Sequence, residues 1–160
     1  MSQTGQEVMI IARELANSGA LHKLDLLSPQ SWSLGLQVLL VEDDEADAYL
    51  IRRALAKNPW VAEVVLAEDG VEALELFDKG RISPDLAIVD LHMPRKDGLG
   101  LLKEFGNRAS AHFPSVVLTS SKSSKDVQRA KNRGALEFLT KPKTEEQLEA
   151  ALNRVIRNVF

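Results

Sequence analysis

The stretch LAIVDLHMPRKDG, Leu86 to Gly98, decides the fold. Four apolar residues end on Asp90. The chain then turns polar, with Pro94 and Gly98 close behind. A short apolar run bounded by Pro and Gly predicts a buried strand, most naturally a parallel one. An acid where such a strand emerges can simply end it or cap a turn. It can also stand at the carboxyl end of a parallel sheet, where α/β folds place their chemistry. The flanking sequence separates these readings.

Outward from this stretch the same unit recurs. QVLLVED (37–43) is an apolar run closing on acids and predicts a strand. ADAYLIRRALAK (46–57) predicts a helix, with Ala46, Leu50, Ala54 and Leu55 at helical spacing and a stop at Asn58-Pro59. VAEVVLA (61–67) predicts a strand, and VEALELFDKG (71–80) a helix ended by Gly80. Beyond Asp90, Asp97 is the expected N-cap of a helix running to Phe105, with Gly106 as its end. SVVLTS (115–120) predicts a strand, 124–133 a basic helix stopped by Gly134, and ALEFL (135–139) a short strand. The last helix, TEEQLEAALNRVIRNV, opens on a Thr144/Gln147 capping box and carries the apolar stripe Leu148, Leu152, Val155 and Ile156. Five β-α units in strict alternation imply an α/β fold with a parallel sheet and helices on both faces. The expected order is the flavodoxin-like 2-1-3-4-5. Residues 1–36 stand apart as an expected, partly helical N-terminal extension, with Val8, Ile11 and Leu15 at helical spacing. Residues 37–160 form the α/β domain.

Composition narrows the chemistry. The chain has 160 residues and no cysteine, which excludes disulfides, thiolate metal sites and cysteine nucleophiles. No apolar run approaches the ~20 residues of a membrane span. The start, MSQTGQEVMIIARELANSG, lacks the basic segment of a signal peptide, so the expected location is the cytoplasm. The net charge of −3 conceals an asymmetry: residues 1–120 carry −7 and residues 121–160 carry +4. A basic last quarter suits an acidic partner, although each lysine taken singly reads as a solvated helix face.

In the 2-1-3-4-5 order the first and third strands are neighbours. Glu42, Asp43 and Asp90 then converge in one crevice. Three acids repel one another unless a cation intervenes. Oxygen-only ligands without Cys or clustered His favour a hard cation, above all Mg²⁺. Thr119 ends the fourth strand and Lys141 follows the fifth, before Pro142, so both reach the same rim. Carboxylates, Mg²⁺, a hydroxyl and a lysine suit phosphoryl transfer, with a carboxylate attacking phosphorus. EDDEAD (42–47) lacks the glycine and terminal Glu of an EF-hand loop.

VEDD (41–44), VDLHMPRKDG (89–98), LTS (118–120) and FLTKP (138–142) together resemble the receiver domains of two-component response regulators, including the chemotaxis-type single-domain members. The likeness covers roughly residues 37–160. Each motif alone is weak, but the four in order at strand ends are specific. The resemblance implies that Asp90 accepts a phosphoryl group from a sensor histidine kinase or a histidine phosphotransfer protein. It implies that Asp43 binds Mg²⁺ directly, Glu42 through water, and His92 through its backbone carbonyl. Thr119 would bond the phosphoryl group, Lys141 would be its cation, and Phe138 would be the aromatic switch. The His92 ring is the weaker reading as a ligand because its neighbours are oxygen donors, and Phe138 also reads as plain core.

Phosphorylation adds about −1.5 to −2 charges. The resemblance implies that Thr119 then moves, Phe138 rotates behind it, and the face made by the fourth helix, fifth strand and fifth helix changes. Lys122, Lys125, Arg129, Lys131, Arg133 and Lys143 belong to this basic face, which would meet a protein partner or a second copy of the chain. No helix-turn-helix follows, so direct DNA binding is not expected. The ED-D-x-A-D run bears a faint likeness to regulators that partner phytochrome-type kinases, too unspecific to assign a kinase. The alternative is a Mg²⁺-dependent phosphatase of haloacid dehalogenase type with Asp90 as nucleophile. That family wants a second Asp two residues on, where this chain has His92.

Overall fold

The computed structural model describes residues 35–160, and the expected extension over 1–36 lies outside them except for its last two positions. Ten elements alternate: β1 (Leu36–Val41), α1 (Glu45–Ala56), β2 (Val61–Ala67), α2 (Gly70–Asp78), β3 (Leu86–Val89), α3 (Gly98–Gly106), β4 (Ser115–Thr119), α4 (Ser124–Asn132), β5 (Glu137–Thr140) and α5 (Glu145–Val159). All strand pairs are parallel and the order is β2-β1-β3-β4-β5, as the alternation predicted.

The period-2 alternation of the strands divides the core between two faces. Leu36, Val38 and Leu40 of β1 turn one way, joined by Leu86 and Ile88 of β3 and Val116 and Leu118 of β4. Ile51, Ala54 and Leu55 of α1 and Leu148, Leu152, Val155 and Ile156 of α5 close over them. Leu39 and Val41, with Ala87 and Val89, turn to the other face under α2 and α3. There Phe77, Phe105 and Phe113 meet edge to face, their centroids 5.0–5.8 Å apart. A third cluster places Leu91, Leu102, Val117 and Ala130 together, with Phe138 packed against them.

Local signals set the helix ends. Asp44, Asp69, Asp97 and Thr144 each accept an N3 amide as N-caps. Gly80 and Gly134 adopt left-handed φ values of 66° and 89° where α2 and α4 stop. Two expectations shift. The buried stripe of α1 is Ala48, Ile51, Ala54 and Leu55; Ala46 faces solvent and Leu50 is half-buried. Ile51 and Leu55, an i,i+4 pair, set which side faces the sheet. The fifth strand begins at Glu137, not Ala135, because the amide of Ala135 still bonds Ala130 O at the end of α4. Leu136, apolar but 60% exposed, belongs to that turn. Among the described residues no helix is long and apolar enough to cross a membrane.

Candidate functional site

The carboxyl ends of β1, β3, β4 and β5 meet on one rim. Val41 O accepts the amide of Asp90 at 3.0 Å, and Ala67 O accepts that of Glu42 at 3.0 Å, so both acids begin where the ladder ends. Glu42 is 2% and Asp90 7% exposed, whereas Asp43 is exposed. One carboxylate oxygen from each of Glu42, Asp43 and Asp90 lies within 4.8 Å of the others.

Lys141 reaches this cluster from the far strand. Its amide donates to Thr119 O at 2.7 Å, which fixes its root beside β4. Its Nζ donates to Asp47 Oδ2 at 2.7 Å and to Asp90 Oδ2 at 3.2 Å. It also stands 2.7 Å from Glu42 Oε2, a buried ion pair. Burial opposes the ammonium charge, but Asp47, Glu42 and Asp90 outweigh it and raise the lysine above its ordinary pKa. Burial, reinforced by the negative charge of Asp90, pushes the Glu42 carboxyl up to about 7, although Lys141 and the Asp44 amide pull against it.

Asp90 Oδ1 is buried without a hydrogen-bond donor, and Glu42 Oε2 has only the Lys141 ammonium beside it. An unsatisfied buried anion is costly. Three oxygen donors within reach of one another, beside a buried Asp90 oxygen that lacks a donor, fit a divalent cation of the hard class. The cluster is therefore suited to hold such a metal.

Thr119 has no exposed surface, and its Oγ1 accepts the amide of Ser121 at 3.4 Å. The His92 side chain is mostly exposed and turns toward Asp126, with Nε2 3.6 Å from Oδ2. Ser121 Oγ donates to the same oxygen at 2.5 Å, so Asp126 ties the loop after β3 to the loop after β4. Phe138 is half-buried in the third core cluster beside Val117 and Ala130.

Sequence reasoning missed three residues. Asp47 in the first turn of α1 holds the lysine tip. Asp69 and Arg95 form an ion pair at 2.5 Å that clasps the loop after Asp90 to the start of α2. Gly70 N donates to Lys96 O across the same junction, and Arg95 sits at a left-handed φ of 59°. An Asp after a strand and an Arg 26 residues later were the available signal, but nothing local pairs them.

Burial opposes ionisation of Asp69, yet the Glu72 amide and Arg95 overcome it and hold the carboxyl below its ordinary 3.8. A depressed native pKa gives stability that is present above 3.8 and is lost as pH falls through the native value. Asp69→Ala should cost about 1 kcal/mol at pH 7 through the lost cap. That deficit should narrow below pH 3.8. Urea melts of both proteins at neutral and acid pH check this.

The profile of the response regulator receiver domain matches residues 38–153. The transcriptional regulatory protein TrcR of Mycobacterium tuberculosis (strain ATCC 25618 / H37Rv) is 35% identical over 122 residues, which are 76% of this chain and 46% of that protein. The response regulator MprA of Mycobacterium ulcerans (strain Agy99) is 35% identical over 124 residues, 78% of this chain and 51% of that one. The chain thus spans about half the length of the curated relatives it matches. Among solved structures, the phosphorylated cyanobacterial phytochrome response regulator RcpA superposes with a TM-score of 0.71 at 31% identity, covering 76% of this chain and 91% of that one. The Mn²⁺-bound response regulator Rcp1 gives 0.68 at 28% identity, covering 75% and 91%. With the fold, the acidic cluster and the matched span in agreement, this chain belongs to the response regulator receiver domain family, the phosphoacceptor signalling domain of two-component systems.

Proposed function

We propose that Asp90 is the residue that accepts the phosphoryl group, from a sensor histidine kinase or a histidine phosphotransfer protein. The observation that carries this is the convergence of Glu42, Asp43 and Asp90 with Lys141 on Asp90 Oδ2. Asp90 is 7% exposed at the end of β3, and its carboxylate supplies the oxygen that attacks phosphorus. The P–N bond of a phosphohistidine protonated on its other ring nitrogen breaks, and its electron pair leaves with the neutral imidazole. Asp43, Glu42, Asp90 and the His92 carbonyl would hold Mg²⁺, which supplies charge neutralisation for the phosphoryl oxygens. Lys141 supplies a second cation and the Thr119 hydroxyl a hydrogen bond. Phe138, packed beside Val117 on the strand that ends in Thr119, is placed to respond to a shift of that threonine. The haloacid dehalogenase alternative is disfavoured because the side chain two residues after Asp90 is an outward-turned His92.

Incubation with acetyl phosphate and Mg²⁺, followed by intact mass and peptide mapping, tests the assignment. One phosphoryl group on the Asp90 peptide, dependent on Mg²⁺, is expected. A modified peptide elsewhere overturns it. Asp43→Ala should weaken Mg²⁺ binding about tenfold or more, and should slow phosphorylation in parallel; calorimetry and the same mass assay read the two effects.

The finer assignments follow from the same reading. The domain works in the cytoplasm and signals through the α4-β5-α5 face to a protein partner or a second copy of the chain. Residues 37–160 are the receiver unit; the expected docking of the 1–36 segment, on this domain or on a second copy of the chain, falls on residues outside those described. Deleting residues 1–34 should lower the melting temperature or change the mass in solution by light scattering; if neither moves, the docking role is lost.

A further inference from the structure

We infer that Asp47 is a positioning residue for Lys141: it holds the lysine tip at the rim of the acidic cluster so that the ammonium is already in place when the phosphoryl group arrives. The inference rests on the reading of Lys141 as the cation of the phosphoryl group.

Three features support it. Lys141 is fixed at both ends, its backbone by Thr119 O at 2.7 Å and its Nζ by Asp47 Oδ2 at 2.7 Å, a tighter contact than the 3.2 Å to Asp90. Asp47 is itself held, because it sits in the first turn of α1 with its amide on Asp44 Oδ1 at 2.8 Å. Finally, Asp47 lies outside the converging set of Glu42, Asp43 and Asp90.

The last point gives Asp47 its role. A divalent cation among the three acids repels the ammonium from Glu42 and Asp90, whose charge it also claims. Asp47 is the carboxylate on Lys141 that the cation does not take. A lysine has three donors, so one stays on Asp47 while the others turn to the phosphoryl oxygens. Without Asp47 the four-carbon stem regains its rotamers and the ammonium must be placed anew at each turnover. Asp47 touches no reacting atom and acts through Lys141 alone.

The test is a double-mutant cycle on the full chain, with acetyl phosphate as donor at saturating Mg²⁺. Asp47→Asn should slow phosphorylation about fivefold to tenfold. The half-saturating Mg²⁺ concentration should stay within about threefold of wild type. Glu45→Gln, which removes the same charge from the same helical turn, should leave the rate as it is. In a Lys141→Met background, Asp47→Asn should have no further effect. The ¹⁵Nζ resonance of Lys141, sharp while its protons are bonded, should broaden in Asp47→Asn. Two effects that multiply in the double variant, or an Asp47→Asn rate equal to wild type beside a slow Lys141→Met, overturn the role of Asp47. A Lys141→Met protein that phosphorylates at the wild-type rate overturns the reading of Lys141 itself.

Discussion

Asp90→Asn is expected to reduce labelling by acetyl phosphate to background, a loss of about 100-fold or more, while making the metal-free protein more stable. The two effects have one origin. Asp90 is 7% exposed, shares its crevice with Glu42 and Asp43, and receives from Lys141 one bond to Oδ2. Three carboxylates and one ammonium leave an excess of negative charge in a partly dehydrated site. An amide keeps the shape and removes a charge, which should stabilise the cation-free fold by about 1 kcal/mol. With Mg²⁺ present the order should reverse, because a ligand that binds the native state stabilises it in proportion to affinity, and the variant binds less. Melting curves with and without Mg²⁺ therefore cross. A variant that melts lower in both conditions, or that still takes up one phosphoryl group, contradicts the assignment.

Among the described glycines, Gly98→Ala should be the most damaging change. Gly98 opens α3, and its amide donates to Leu91 O at 3.0 Å. A Cβ there would overlap the carbonyl oxygen of Asp90 and come within 2.8 Å of Leu91 Cα and 2.9 Å of Asp90 C. These are backbone atoms at the end of a central strand, so they cannot step aside as a side chain would. Overpacking of this kind costs about 3 kcal/mol, or on the order of 10 °C in melting temperature for a domain of this size. Phosphorylation should fall as well, since the strained residue is Asp90 itself. Gly106→Ala is the control: a Cβ at Gly106 meets nothing within 4 Å. It should be neutral or slightly stabilising, by about 0.5 kcal/mol. Equal melting temperatures for the two variants would mean that the contact between the start of α3 and Asp90 is looser than described.

Elements whose signal is local could be read from the residues alone. The strand Val61–Ala67 has the bounds its apolar run suggested, and Asp97, Thr144, Gly80 and Gly134 mark helix ends as expected. The strand order followed from alternation, and with it the meeting of Glu42, Asp43 and Asp90. What escaped the reading depends on partners far along the chain. ADAYLIRRALA offers two overlapping sets at helical spacing, one through Ala46 and Leu50 and one through Ala48 and Ile51, and only the sheet beneath chooses between them. Asp47 reads as an ordinary acid in a helix's first turn because Lys141 is 94 residues away. Asp69 and Arg95, 26 residues apart, are equally mute until β2 and β3 lie on either side of β1.

That dispersal has a kinetic consequence. Parallel strands cannot close as hairpins, and each crossover must carry a helix before the next pair forms. The bonds from Lys141 to Asp47 and Asp90 close loops of 94 and 51 residues, so they form only once β1, β3, β4 and β5 have condensed. High sequence separation slows that search. A cation that recognises the completed rim would then act after the rate-limiting step. Mg²⁺ should leave the refolding rate of this chain nearly untouched and retard its unfolding instead, giving the loaded domain a longer life against proteolysis than its equilibrium stability alone would suggest.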